Sequence, residues 1–143
     1  LDDTEEERKQ KGRMFENIIK VVPEWKDIGL ESYCDFEMKR LNGNSNACYK
    51  VELKERIKTD DEVARTVFYR RYEQKVVDKR VEQAIFQAQA EEERGEKLYF
   101  QDDEFRVEGF FHGRPLSLWE MRNPMIFENY ARLICQFNFS SLA

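Results

Sequence analysis

Three stretches of strand-period sequence follow one another with too little chain between them for parallel crossovers, and this restricts the fold more than any other feature. Cys34, Phe36 and Met38 alternate with Asp35, Glu37 and Lys39. Ala47, Tyr49, Val51 and Leu53 then alternate with Cys48, Lys50 and Glu52. LNGNSN (41–46) reads as the turn between them, and the polar run KERIKTDDE (54–62) as the loop to a third strand over Val67–Tyr72. The pairing is therefore expected to be antiparallel. A helix is predicted next, over about Val76–Arg94, with Val77, Val81, Ala84, Ile85 and Ala88 inward. Gly95 is placed to end it by adopting positive φ. Leu98–Phe100 and Phe105–Phe111 form a further hairpin around QDDE.

Helices flank this β-β-β-α-β-β core. Met14, Phe15, Ile18, Ile19 and Val22 share one helical face within Asp2–Val22, and Pro23 stops that helix. Ser117 and Glu120 have capping-box spacing, and Asn123-Pro124 suits the start of a last helix carrying Ile126, Tyr130, Leu133, Ile134 and Phe137. The predicted class is α+β, a five-stranded antiparallel sheet with one packed helix. The expected division is a helical extension over 1–26, the sheet domain over 27–113, and a crossover with further helices over 114–143.

Composition removes several function classes. Charged residues are 37% of the chain, yet they leave a net charge of −5 with no basic stripe for nucleic acid. Cys34, Cys48 and Cys135 are too scattered for a disulfide framework or a metal site, which favours a reducing, cytoplasmic setting. No apolar run reaches the roughly 20 residues of a membrane span.

Three strands, a helix and two strands leading into a linker are the order of a protein-kinase-like small lobe. Three features carry chemistry on that order. LNGNSN stands where a phosphate-covering loop sits, although it also serves as a plain hairpin turn. Arg70 on the third strand and Glu82 on the helix can act as a phosphate-binding cation and the carboxylate that fixes it, or be two solvated charges. VEGFF (107–111) can offer main-chain groups to an adenine edge between apolar walls, or end as core.

SNACYKV, VFYRRY, VDKRVEQAIF and above all FRVEGFFHGRPLSLWEMRNP resemble the choline/ethanolamine kinase family over residues 35–139. The family's segments read like a GG-x-S/T-N loop, a strand ending R-L/I-Y, a D-R-E-x-E helix start and an R-I/L-E-x-F-I/V-x-G-R-P-L hinge. The resemblance implies a nucleotide site: Ser45 and Asn46 in the phosphate loop, Arg70 as the phosphate cation with Glu82 as its partner, and Glu108, Gly109, Phe110 and Phe111 at the adenine hinge. His112 receives no catalytic role. Departures stand at Asn42 and Asn44 in the loop, at Asp78-Lys79-Arg80-Val81-Glu82, and at Gly95-Glu96-Lys97 where the family has G-P-K.

The family takes its base and its magnesium ligands from a second lobe, so no catalytic or metal-binding residue is expected within this chain. Two functions follow. One is the N-lobe of a transferase that moves the ATP γ-phosphate to choline or ethanolamine in phospholipid synthesis with Mg²⁺, inactive as this segment alone. The other is a kinase-derived, catalytically dead structural or interaction subunit. Either way, the apolar face near Phe110, Trp119 and the last helix is expected to need cover from a C-lobe or a protein partner.

Overall fold

A computed structural model describes residues 3–42, 46–73 and 78–139. Two compact units divide it, residues 1–110 and 111–143. In the first, α1 (Glu5–Val21) opens from a capping box in which the Thr4 hydroxyl accepts from Glu7 N–H and the Glu7 carboxylate accepts from Thr4 N–H. Pro23 begins the short α2 (Pro23–Lys26). Five strands follow, β1 (Phe36–Leu41), β2 (Asn46–Leu53), β3 (Thr66–Tyr72), β4 (Leu98–Gln101) and β5 (Phe105–Gly109), with α3 (Lys79–Glu91) between β3 and β4. They form one sheet in the order β1-β2-β3-β5-β4, antiparallel throughout, as the short connections require.

Strand alternation gives this sheet two different faces. Phe36, Val51, Leu53, Val67, Tyr69, Phe105 and Val107 point to one side and meet Met14, Ile18 and Val22 of the N-terminal helical segment, together with Trp25 of α2. Trp25 is fully buried, lies 5.1 Å from Phe36 between ring centroids, and donates its indole N–H to Ala64 O at 2.7 Å. The Arg65 guanidinium holds the β2–β3 loop by donating to the carbonyls of Leu53, Lys54 and Ile57 and to the Thr59 hydroxyl. Asp35 does a similar service at the entry to β1. Its carboxylate accepts from the Glu31 and Ser32 amides, with Arg56 beside it, and these bonds hold its pKa below the ordinary value despite burial.

The other face carries α3, and here the expectations need correction. Val76 and Val77 lie outside the described residues. α3 starts at Lys79, with the Asp78 carboxylate accepting from Arg80 N–H. Val81 and Ile85, predicted to point inward, are 55% and 40% exposed, and Ala84 is exposed too. The residues α3 turns to the rest of the lobe are Glu82, Gln83 and Phe86, because the sheet face beneath it is lined by charge rather than by core. The helix also ends differently. Glu93, not Gly95, takes the left-handed conformation at φ 56°, while the Arg94 amide returns to Gln89 O.

The second unit contains α4 (Leu118–Met121) and α5 (Pro124–Asn138). Ser117 and Glu120 close the predicted capping box, and Asn123 Oδ1 accepts from Met125 N–H. Arg114 grips the Glu120 carboxylate with two bonds, at 2.8 and 2.5 Å, and the Glu120 pKa falls to about 2.

Candidate functional site

Pairing of β2, β3 and β5 puts six side chains in neighbouring positions on the α3 side of the sheet. Cys48 stands opposite Arg70, and Arg70 opposite Arg106. Two residues along, Lys50 stands opposite Phe68, and Phe68 opposite Glu108. Because β5 is an interior strand, Arg106 and Glu108 are both buried, at 1% and 8% exposure. Such charges persist in an interior only when paired.

They are paired with each other and with α3. Arg106 Nη1 donates to Glu82 Oε1 at 2.9 Å. Arg106 Nε stands 2.6 Å from Glu108 Oε2, an ionic contact lacking hydrogen-bond geometry. The guanidinium carbon lies 3.9 Å from the centre of the Phe86 ring, so an aromatic face covers its plane. Burial raises the Glu108 pKa above the ordinary carboxylate value even though Arg106 and Arg70 pull it down, and Glu82 adds to the rise. Burial likewise pushes the Cys48 thiol up.

The expected Arg70–Glu82 pair is not the one formed, since Glu82 is engaged by Arg106. Arg70 lies on the same face, its guanidinium 5.4 Å from the Phe68 ring centre, and its Nε is buried with no hydrogen-bond partner. An N–H left in that condition normally costs free energy unless a ligand or water reaches it. Asn46 opens β2 opposite Tyr72, on the side that also carries Cys48 and Arg70. Ser45 lies outside the described residues, as do Gly43 and Asn44.

At the hinge, the Glu108 side chain is engaged by Arg106, while the Gly109 amide donates to Lys97 O at 2.8 Å. A Cβ on Gly109 would stand 2.9 Å from Glu96 Oε2 and 3.5 Å from Lys97 N, so this glycine admits the close approach of the chain entering β4. Its N–H is committed within the sheet, which leaves any adenine contact to later main chain. Phe110 closes the first unit with Lys50 Nζ 5.3 Å over its ring, and Phe111 opens the second unit, largely exposed.

Sequence reasoning missed Arg106, although its signal was present: F-R-V-E places two charges on one side of a strand whose other side is core. Lys50 was missed as well, because charge alternating with apolar residues reads as a solvated face. Among the described residues, no group of His, Cys, Asp and Glu could hold a metal ion, and no helix is long and apolar enough to cross a membrane.

This lobe matches known proteins by fold and by family. The choline kinase of Cryptosporidium parvum Iowa II superposes with a TM-score of 0.73 at 20% identity, over 90% of this chain and 35% of that one. An ethanolamine kinase of Plasmodium vivax gives 0.62 at 16% identity, over 93% of this chain and 33% of that one. The chain therefore spans about a third of the length of these kinases. No curated protein matches its sequence. The sequence profile described as choline/ethanolamine kinase matches residues 38–138, from within β1 to the end of α5. With that match over most of its length, the chain belongs to the choline/ethanolamine kinase family.

Proposed function

We propose that this chain is the nucleotide-binding small lobe of a choline or ethanolamine kinase, which transfers the ATP γ-phosphate to an amino alcohol in phospholipid synthesis. The carrying observation is the buried, unpartnered Nε–H of Arg70 on the α3 side of the sheet. A guanidinium with an unsatisfied donor suits phosphate oxygens, which accept charge-assisted hydrogen bonds. In this reading Ser45 and Asn46 cover the phosphates and Arg70 binds them. Phe110 and Phe111 form the apolar walls of the adenine site just past Glu108 and Gly109. Bound ATP supplies the phosphoryl group. The magnesium ligands and the base for the amino-alcohol hydroxyl lie in the C-lobe, so these 143 residues alone do not catalyse transfer. Three free cysteines suit a reducing, cytoplasmic setting.

A second reading, a catalytically dead structural or interaction subunit, draws on the second unit. There Trp119 is 78% exposed, with Leu118, Met125 and Leu133 also exposed. A C-lobe or a protein partner of apolar surface would cover them.

Calorimetric titration with ATP and Mg²⁺ separates the two. The wild-type chain is expected to bind. Arg70→Ala is expected to lose at least about tenfold in affinity, the loss of a charge-assisted bond worth roughly 1.5–3 kcal/mol. Unfolding stability should change by less than about 1 kcal/mol, because Arg70 Nε makes no hydrogen bond and its attraction for Glu108 is secondary to that of Arg106. Absence of binding in both proteins would favour the subunit reading.

A further inference from the structure

A strand cation facing a helix carboxylate is the expected device for fixing a phosphate-binding side chain, and in this lobe the carboxylate is used elsewhere. Among the described residues, most polar ties of α3 to the sheet run to the β4–β5 hairpin. Glu82 binds Arg106 of β5 at 2.9 Å. Gln83 donates to Asp102 O at 2.7 Å and accepts at its own carbonyl from Gln101 at 3.2 Å. Lys79 donates to Asp103 O at 3.2 Å. Phe86 covers the Arg106 guanidinium. Toward β3, Lys79 Nζ lies 4.9 Å over the Tyr72 ring and Gln83 stands beside the Tyr72 hydroxyl.

We propose that Arg106 is a positioning residue: held beside Glu108 on the hinge strand, it docks α3 onto that strand through Glu82, leaving Arg70 free of Glu82. Arginine suits this role because its planar fork addresses two carboxylates while its face stacks on an aromatic ring, which a lysine ammonium cannot do together. The consequence for function is a division of labour. Arg106 sets the helix and Arg70 meets the anion. The Arg70 half of the proposal rests on the nucleotide reading; the Arg106 half does not.

The test is amide hydrogen exchange on the ligand-free chain, followed by ATP–Mg²⁺ titration, in wild type, Glu82→Ala, Glu82→Gln and Arg70→Ala. Glu82 is partly exposed, so its variants are expected to fold. Glu82→Ala should speed exchange of the α3 amides at least tenfold while β2 and β3 stay within twofold. Glu82→Gln, which keeps an oxygen acceptor for Arg106, should restore part of the protection. Neither variant should move ATP affinity by more than threefold, whereas Arg70→Ala should lose affinity and leave α3 protection unchanged. Unchanged α3 exchange in Glu82→Ala would overturn the docking role. Loss of ATP affinity in Glu82→Ala as large as in Arg70→Ala would restore the simple pair and overturn the division of labour. If the wild-type chain binds no ATP, the nucleotide reading and the Arg70 half fall with it, and the exchange data alone decide the docking role of Arg106.

Discussion

Replacing Arg106 by methionine is expected to destabilise the lobe by about 3–5 kcal/mol, the range found when one partner of a buried ion pair is removed. Methionine approximates the volume of the stem, so the loss comes from charge. Glu108 would remain buried with its main counter-ion gone, and Glu82 would lose the bond that anchors α3. Of a total stability of roughly 5–15 kcal/mol, that is a large share. Adding Glu108→Gln should recover part of it by removing the stranded charge, a non-additivity that equilibrium urea denaturation of the two single variants and the double variant would measure. The penalty should also depend on pH in a fixed direction. Glu108 has a folded pKa above its ordinary value of 4.5, so its contribution to stability is full below that value and declines as pH rises through the raised one. Without Arg106 the rise grows. The cost of Arg106→Met should therefore shrink as pH is lowered from 7 toward 5. A pH-independent loss below about 1 kcal/mol would show that the cluster does not hold the lobe together.

Trp25→Ala should be comparably severe, about 3–5 kcal/mol from lost apolar burial and the cavity left behind. The Ala64 carbonyl would also lose its donor, which costs more if water does not reach it. Trp25→Phe, which keeps the contact with Phe36 but not the N–H, should fall well short of the alanine loss. Both are read from the urea midpoint of unfolding. An alanine variant within 1 kcal/mol of wild type would mean that α1 and α2 sit loosely on the sheet, contrary to the full burial of Ile18, Val22 and Trp25.

These two residues also show what a sequence reveals and what it withholds. Ile18 and Val22 lie on a helical stripe that periodicity picks out, and the alternation over 47–53 gives the buried side of β2 directly. Helix caps at Ser117 and Asn123 follow from local chemistry that needs no distant partner. Arg106 and α3 do not. Alternation in F-R-V-E separates core from charge, but the burial of that charge depends on β5 inserting between β3 and β4, a non-local pairing. The apolar stripe Val81, Ala84 and Ile85 reads as the inward face because helices usually bury their apolar side. Over a charged sheet face the polar side is the complementary one, so Glu82 and Gln83 turn inward instead. The same pairing withdrew Glu82 from Arg70, since Arg106 competes for it from the adjacent strand.

The central claim is that Arg70 meets an anion with a donor the fold leaves unused. The most direct measurement is the nuclear magnetic resonance of the arginine Nε–H groups during titration with ATP and Mg²⁺. The Arg70 Nε–H signal should move with saturation as it gains an acceptor, while the Arg106 Nε–H signal stays nearly fixed beside Glu108. An Arg70 signal that does not respond at millimolar ATP, or an Arg106 signal that moves in its place, would contradict the account.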